Sequence, residues 1–337
     1  MGASAGGVEA LRAVVAGFPP DLPAAVLVVL HVPADAPSAL PAILSRSGPL
    51  PAERAVDGQR PVPGRIYVAP ADRHLLVLEG RLRLSLGPTE NGHRPAVDPL
   101  FRSAARSQGR GVIGVVLSGA RDDGAAGLCA IVRRGGTAVV QDPADALHPS
   151  MPRAALEQVD AARVAPAAKL GPVLAELVAT PPADRWPEAG GPGDPLPDDA
   201  VSDPVLDAEV AMAHLEPVTA EEVPVTSAGY GCPSCGGALF EIPDGPVPRY
   251  RCRVGHAWSA QSLLAEHAVA MDRALWMALR ALEEKASLSR RLADAGAARR
   301  SARIAERYRQ VGREADDAAA MLRRLIAALA DEPGQAE

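Results

Sequence analysis

The chain has 337 residues, 47% hydrophobic but only 3% aromatic, with 31 glycines and 33 prolines; it can bury a full core of Ala, Val and Leu, broken by many turns, with a smaller unit beside it. A formal net charge of −6 gives no support for a nucleic-acid backbone binder, which needs clustered Lys and Arg. Neither an uncharged apolar run of membrane-spanning length nor a basic segment leading into an apolar stretch and cleavage site occurs, so a soluble cytoplasmic protein without membrane insertion is expected.

Residues 2–7 read GASAGG, and a helix is expected over 7–17. AAVLVVLHV at 24–32 is continuously apolar, the pattern of a strand buried on both faces, and RIYVAP (65–70), VIGVVLSG (112–119) and GTAVVQD (136–142) repeat it. Further helices are expected at 37–46, 97–108, 124–134 and 151–158. Strands separated by helices predict an α/β fold with a doubly wound, mostly parallel sheet between two helical layers. HLLVLEGRLRLSLG at 74–87 reads instead as a hairpin that could add an antiparallel edge.

The composition then changes. Positions 181–222 hold eleven Asp or Glu against one Arg, with many prolines, which predicts a disordered or extended linker. The expected organisation is an α/β domain over 1–178, an acidic Pro-rich linker over 179–228, a compact module over 229–260 and a helical tail over 261–330. In the tail, Leu264, Ala268, Met271, Leu275, Ala278 and Leu282, and later Ile304, Tyr308, Val311, Ala315, Ala318, Leu322, Leu325 and Leu329, keep a four-three spacing. Such seams are buried in a helical hairpin or in a coiled coil with a second copy or a partner.

The four cysteines do not form a disulfide framework. Cys129 stands alone in a helical pattern, whereas Cys232, Cys235 and Cys252 cluster with His256 in two knuckles. Three thiolates and one imidazole are the soft donor set of a tetrahedral zinc site, closed to substrate because four protein ligands fill it. A redox CxxC and plain buried residues are the alternatives. His267 reads as a surface or packing histidine.

Three segments could carry chemistry. In GASAGG, a P-loop is disfavoured because no Gly-Lys-Ser/Thr follows, and the glycine spacing does not fit a dinucleotide fingerprint; Ser4 is a helix cap, a nucleophile or part of an anion site. His31 closes the apolar run VVLHVP, at the strand end that faces ligands in open α/β folds. In VVLSGARDDGAAGL (115–128) another buried strand ends in small residues and two carboxylates, which could be a charged helix cap. Together a serine, a histidine and an aspartate at successive strand ends suit acyl transfer, for which no cofactor is needed.

On these residues the sequence resembles the catalytic domain of the bacterial chemotaxis protein-glutamate methylesterase family, CheB. GASAGG, LHVP, LSGARDDGAAG, YVAPADRHL and GHRPAVDPLFRSAA look like five ordered family segments across about 1–178. The resemblance implies Ser4 as nucleophile, His31 as base and Asp123 as triad acid. It sets Ala5, Ala120, Asp122 and Gly124 around the oxyanion and the triad, with Asp122 replacing the usual asparagine. Arg94, Asp98, Arg102 and Met151 would lie near the substrate cleft, Met151 over His31 or in the core; His74 and His93 would be structural or rim residues. The implied substrate is a glutamyl methyl ester on a methyl-accepting chemoreceptor, with glutamine deamidation a second activity. A methylesterase for a non-chemotaxis signalling protein and a silent signalling scaffold are the competing readings.

The family's usual phosphorylated receiver domain is not in this sequence, so regulation is expected to differ. The CxxC module and tail resemble an extension on some stand-alone members, for which partner docking is a working idea. Only three residues precede Ser4, where the family has a buried strand. The expectation is a true start upstream of Met1; the alternative is a lost central strand.

Overall fold

The computed structural model describes residues 1–35, 39–160, 162–180, 203–216, 226–242, 245 and 247–330. Two compact units are present, Met1–Leu263 and a second beginning at Leu264.

The first unit is built on a seven-stranded sheet. Its strands are β1 (Gly2–Ala3), β2 (Val26–Leu30), β3 (Ala52–Arg54), β4 (Ile66–Val68), β7 (Ile113–Val116), β8 (Thr137–Gln141) and β9 (Arg163–Ala165). They lie in the order β3-β4-β2-β1-β7-β8-β9, and every pair is parallel. Helices α1 (Gly7–Ala16), α2 (Leu40–Ser47) and α6 (Ala167–Ala179) cover one face; α3 (Val97–Gln108), α4 (Ala125–Arg133) and α5 (Ser150–Gln158) cover the other.

Alternation explains the uninterrupted apolar strands. Val28, Val115 and Val139 pack with Leu11, Val14 and Leu174 on one side, while their chain neighbours Val29, Val116 and Val140 pack with Val97, Leu128 and Met151 on the other. Each such side chain contributes about 1.5–3 kcal/mol when fully buried.

The centre of the sheet is β1, only two residues long. Gly2 pairs with Val29 on one side and Val116 on the other, and Met1 extends it through its carbonyl, which accepts Val29 N–H at 2.9 Å. A Cβ at Gly2 would lie 2.3 Å from Val97 Cγ1, so only glycine lets α3 approach here. The strand order reverses direction at β1, and Ser4 follows immediately at the carboxyl end, the place where open α/β sheets bind ligands.

The hairpin at 74–87 forms as expected, with β5 (His74–Leu78) against β6 (Arg81–Ser85). It does not extend the main sheet: it is a separate two-stranded sheet whose Leu75, Val77 and Leu82 join the core beside α3. β3, β9 and α6 are not announced by the sequence. β3 and β9 are three-residue strands too short for a period, and α6 carries Pro172 inside it.

The acidic stretch expected to be extended contains helix α7 (Pro204–Ala213). Asp203 Oδ1 accepts Leu206 N–H at 2.9 Å and Pro204 occupies the first turn, a regular helix start. Leu206 and Val210 enter the core, and Asp207 pairs with Arg106 of α3 at 2.6 Å. Two apolar anchors suffice for ten residues, which average composition conceals. Beyond it, β10 (Thr226–Gly231), β11 (Ala238–Ile242), β12 (Arg249–Cys252) and β13 (Ala257–Ser259) form a four-stranded antiparallel ribbon.

Helices α8 (Ala260–Ala298) and α9 (Ala302–Ala330) make the expected hairpin. Its seam keeps Ala315 of the expected set but is built mainly from other, smaller residues. Ala286, Ser289, Ala293, Ala305, Gly312, Ala315 and Ala319 are buried, whereas Leu264, Met271, Ile304 and Leu325 are exposed. Small residues let the two backbones approach closely: a Cβ on Gly312 would sit 3.5 Å from Ser289 Cβ. Ion pairs Arg290–Asp316 and Arg323–Glu283 tie the helices across the seam.

Candidate active site

Ser4 is held by its surroundings rather than by its own hydroxyl. Its N–H donates to Ser118 O at 2.9 Å, and its carbonyl accepts Gly7 N–H at 2.9 Å. The cap of α1 is Gly6, at φ 70°, with no side-chain cap bond, which removes the cap reading of Ser4. A Cβ at Gly6 would also meet Ser118 Oγ at 2.8 Å. Ser118 Oγ donates to Ala5 O at 2.8 Å and accepts His148 N–H at 3.0 Å, bracing the turn. Behind Ser4, a Cβ at Gly119 would lie 2.9 Å from Ser4 Cβ and 2.0 Å from Met151 Sδ.

His31 follows β2 and joins the turn by donating its N–H to Ala3 O at 3.2 Å. Its Nδ1 lies 3.0 Å from Ser4 Oγ and its Nε2 2.7 Å from Asp123 Oδ2. Asp123 accepts only, so Nε2 carries the proton and Nδ1 offers its lone pair to the serine hydroxyl. The structure thus brings the three residues expected from the sequence into one hydrogen-bonded chain.

Asp123 is saturated. Oδ2 also accepts Val97 N–H at 2.6 Å, and Oδ1 accepts Asp98 N–H at 3.2 Å and Asn91 Nδ2 at 3.3 Å. Two donors are first-turn amides of α3, where the helix dipole favours an anion. Burial would push this carboxyl up, but the His31 bond and charge, with the Val97 amide, hold it well below the usual carboxylate range. His93 stacks on His31 with ring centroids 3.8 Å apart. Burial, then the charge on His31, lower its pKa to about 4.

The remaining candidates divide. The half-buried N–H groups of Ala5 and Ala120 have no hydrogen-bond partner among the described residues. Gly124 is different. Its N–H is taken by Asp98 Oδ1 at 3.1 Å, and its φ of 95° starts α4. Asp122 is buried away from Ser4 and accepts Ser259 Oγ at 2.8 Å and Ser262 Oγ at 2.7 Å; burial raises its pKa.

Two of the four expected cleft residues, Asp98 and Arg102, are corrected, and Met151 takes its core alternative. Asp98, Arg102 and Met151 are 4%, 1% and 0% exposed and cannot line a cleft. Asp98 caps α4 through Gly124 and Gly127, Arg102 belongs to an internal ion cluster, and Met151 fills the core under Gly119. Arg94 reaches the surface but is committed to Asp72, at 2.6 Å, and to the carbonyls of Leu86 and Gly87. His74 is buried, with Nε2 2.9 Å from Pro88 O, so its structural reading holds, and burial lowers its pKa.

The ion cluster spans three segments. Arg102 of α3 pairs with Glu90, Arg249 of the ribbon pairs with Glu209 of α7, and Arg251 reaches Glu209 at 2.8 Å and Glu90 at 3.2 Å. All five side chains are buried. Burial would raise both glutamates, but the arginines hold them below their ordinary range. The cluster could be found from sequence only by asking what partners a buried ribbon arginine would need.

Cys232, Cys235, Cys252 and His256 have ligand atoms within 4.8 Å of one another. The Sγ atoms of Cys235 and Cys252 are 3.7 Å apart, and Cys252 Sγ lies 3.5 Å from His256 Nδ1. A tetrahedral zinc ion with normal bond lengths requires edges of about 3.8 Å and about 3.5 Å. Cys232, Cys235 and Cys252 are free thiols, so the cluster can coordinate a metal.

The model of the CheB methylesterase family matches residues 1–174, just over half the chain. The chain belongs to the CheB methylesterase family. A protein-glutamate methylesterase/protein-glutamine glutaminase 2 of Xanthomonas oryzae pv. oryzae is 39% identical over 183 residues, 53% of this chain and 51% of that protein. A similarly named protein of Anaeromyxobacter dehalogenans is 40% identical over 181 residues, 52% of this chain and 50% of its own length. The chain therefore spans about half the length of the curated relatives it matches. The crystal structure of the Thermotoga maritima CheB methylesterase catalytic domain superposes with a TM-score of 0.50 at 32% identity, covering 52% of this chain and 95% of that one. The CheB-like fold accounts for β1 to α6. Ser118 and Asn91 are not marked by any local pattern, and His93, expected as a structural or rim residue, stacks on His31; each acts through a contact distant in sequence.

Proposed function

We propose that this CheB family member hydrolyses glutamyl methyl esters on a methyl-accepting chemoreceptor, or a related methylated signalling protein, to glutamate and methanol. The observation that carries the reading is the His31 ring bridging Ser4 Oγ at 3.0 Å and Asp123 at 2.7 Å. His31 Nδ1 takes the serine proton as Oγ attacks the ester carbonyl, and the resulting imidazolium is stabilised by Asp123. The oxyanion turns to the free N–H groups of Ala5 and Ala120, each contributing roughly 3 kcal/mol. Collapse expels methoxide, which leaves as methanol with the proton from His31; water then repeats the sequence and releases glutamate. A glutamine amide would react identically with ammonia leaving, the second activity in the relatives' names.

No described helix is long and apolar enough to cross a membrane, and a cytoplasmic site of action follows if the substrate is the cytoplasmic bundle of a receptor. Methanol release from a methylated receptor tests the reading. Release by the wild type, abolished in Ser4→Ala with the fold intact, supports it; no release from methylated receptor fragments by the wild type overturns it.

A structural zinc ion belongs to the same proposal, held by Cys232, Cys235, Cys252 and His256, whose spacing and free thiols suit it. When bound, the ion joins the two knuckles of the ribbon and takes no part in hydrolysis, since four protein ligands fill its sphere. Zinc near one per chain, lost in Cys232→Ser/Cys235→Ser, is the expected result. Folded, metal-free wild type would refute it.

A further inference from the structure

One of the four donors that saturate Asp123 leads out of the catalytic sheet. Asn91 gives its Nδ2 to Asp123 Oδ1 at 3.3 Å and lies 3.4 Å from Asp98 Oδ2, while its Oδ1 accepts the N–H of Ser259 at 2.9 Å. The orientation of this amide is therefore dictated from both ends. Two carboxylates demand the NH2 group, and a ribbon N–H demands the oxygen.

The backbone of Asn91 depends on the ribbon as well. It sits at φ 52°, left-handed for a non-glycine residue, and its N–H donates to Ala257 O at 2.8 Å. Ala257 N–H in turn donates to Thr89 O at 3.3 Å, and the Trp258 ring lies over Gly92. On the other side of the triad acid, Asp122 is fastened to Ser259 and Ser262. The segment carrying Asn91 and the loop carrying Asp123 are thus both held by residues 257–262.

We propose that Asn91 is a positioning residue for Asp123, and that the appended segment, through Ser259 at the end of the ribbon and Ser262 in the first turn of α8, is the part of the chain that sets it. The triad of this protein is then completed from outside the family domain at 1–174. The ribbon acts on hydrolysis without touching substrate: it fixes the carboxylate that fixes the His31 ring. A charged hydrogen bond of this kind is worth about a tenfold change in rate.

The kinetic arm rests on the methylesterase reading; the spectroscopic arm does not. In full-length protein with labelled histidine, the 1H–15N correlation of His31 Nε2–H reports its bond to Asp123. It is compared among the wild type, Asn91→Gly, which removes the amide but tolerates the left-handed backbone, and Ser259→Ala/Ser262→Ala, which releases Asp122. Both variants should move the proton resonance upfield or broaden it through exchange, while circular dichroism stays native. Ester hydrolysis by Asn91→Gly should fall about tenfold in kcat with KM unchanged. An Nε2–H signal identical to wild type in the ribbon variant overturns the inference, whether or not Asn91→Gly folds. A shifted signal alongside a wild type that hydrolyses no ester would instead leave the positioning role standing and refute only the substrate.

Discussion

Asp98 and Asp123 cap each other's helices. Asp98, in the first turn of α3, accepts Gly124 N–H at 3.1 Å and Gly127 N–H at 2.7 Å at the start of α4; Asp123, just before α4, accepts Val97 and Asp98 N–H at the start of α3. Two buried carboxylates thereby stand side by side, and their protonation diverges. Burial and the Asp123 charge raise the Asp98 pKa to about 7, while the His31 partnership keeps Asp123 ionised.

Asp98→Asn should consequently gain on the wild type as pH rises. Between the ordinary carboxylate pKa and about 7 the unfolded wild type releases a proton that folded Asp98 keeps, so its contribution falls with increasing pH through that window. Asparagine retains an oxygen for Gly124 and Gly127 and does not titrate. Urea unfolding at pH 5 and pH 8 should show the stability difference, variant minus wild type, more favourable at pH 8. An equal difference at both would refute the assignment.

The His31–His93 stack predicts a second pH effect. With a folded pKa near 4 against an ordinary value of 6.5, His93 stays neutral while the unfolded chain takes up a proton, so its contribution to stability is lost as pH falls from 6.5 to 4. His93→Phe keeps a flat ring against His31 and removes that loss, and its stability should vary less between pH 7 and pH 4.5. Its kcat should remain within a few-fold of wild type. His93→Ala, which frees one face of the His31 ring, should lower kcat more than it changes KM.

Removal of triad members should not cost the same. Ser4→Ala should lose on the order of 10⁶-fold in kcat and Asp123→Asn about 10⁴-fold, because the asparagine still fills the site while favouring the wrong imidazole tautomer. Methanol release gives the rates. Indistinguishable wild-type and Asp123→Asn activities would refute the role of the acid.

Glu209 is the hinge of the buried ion cluster, with Arg102, Arg249 and Arg251 around it. Glu209→Gln removes the carboxylate that faces three buried guanidinium groups, and should destabilise the first unit by about 3–5 kcal/mol. Because the cluster is buried, 0.5 M salt should barely alter that figure. Denaturant unfolding at low and high salt checks both points.

What the sequence discloses is local. The strands VLVVL and IGVV announce themselves as apolar runs and helices such as α3 through periodicity, and the strand-end positions of His31 and Asp123 follow from the same runs; Ser4 is legible only through its resemblance to the family. The CxxC knuckle is legible because metal ligation needs fixed residue types at short spacing. What stays hidden depends on pairing across distance. Arg102 looks like a cleft residue until Glu90 and Glu209 surround it; Asp122 is expected beside the triad, and only the structure shows Ser259 and Ser262 meeting it. The helical tail misleads for another reason, since its large apolar residues draw the eye while alanine and glycine make the contact.

The bonds from Ser259 to Asn91 and from Ser262 to Asp122 bridge 168 and 140 residues of chain. On a translating ribosome the sheet, with all three triad residues, is made long before the segment that steadies them. A nascent chain arrested near residue 180 would carry every reacting group yet lack its last brace. Synthesis itself thus imposes an order on this protein: architecture first, and the last brace on the triad only after residue 262 has cleared the exit tunnel.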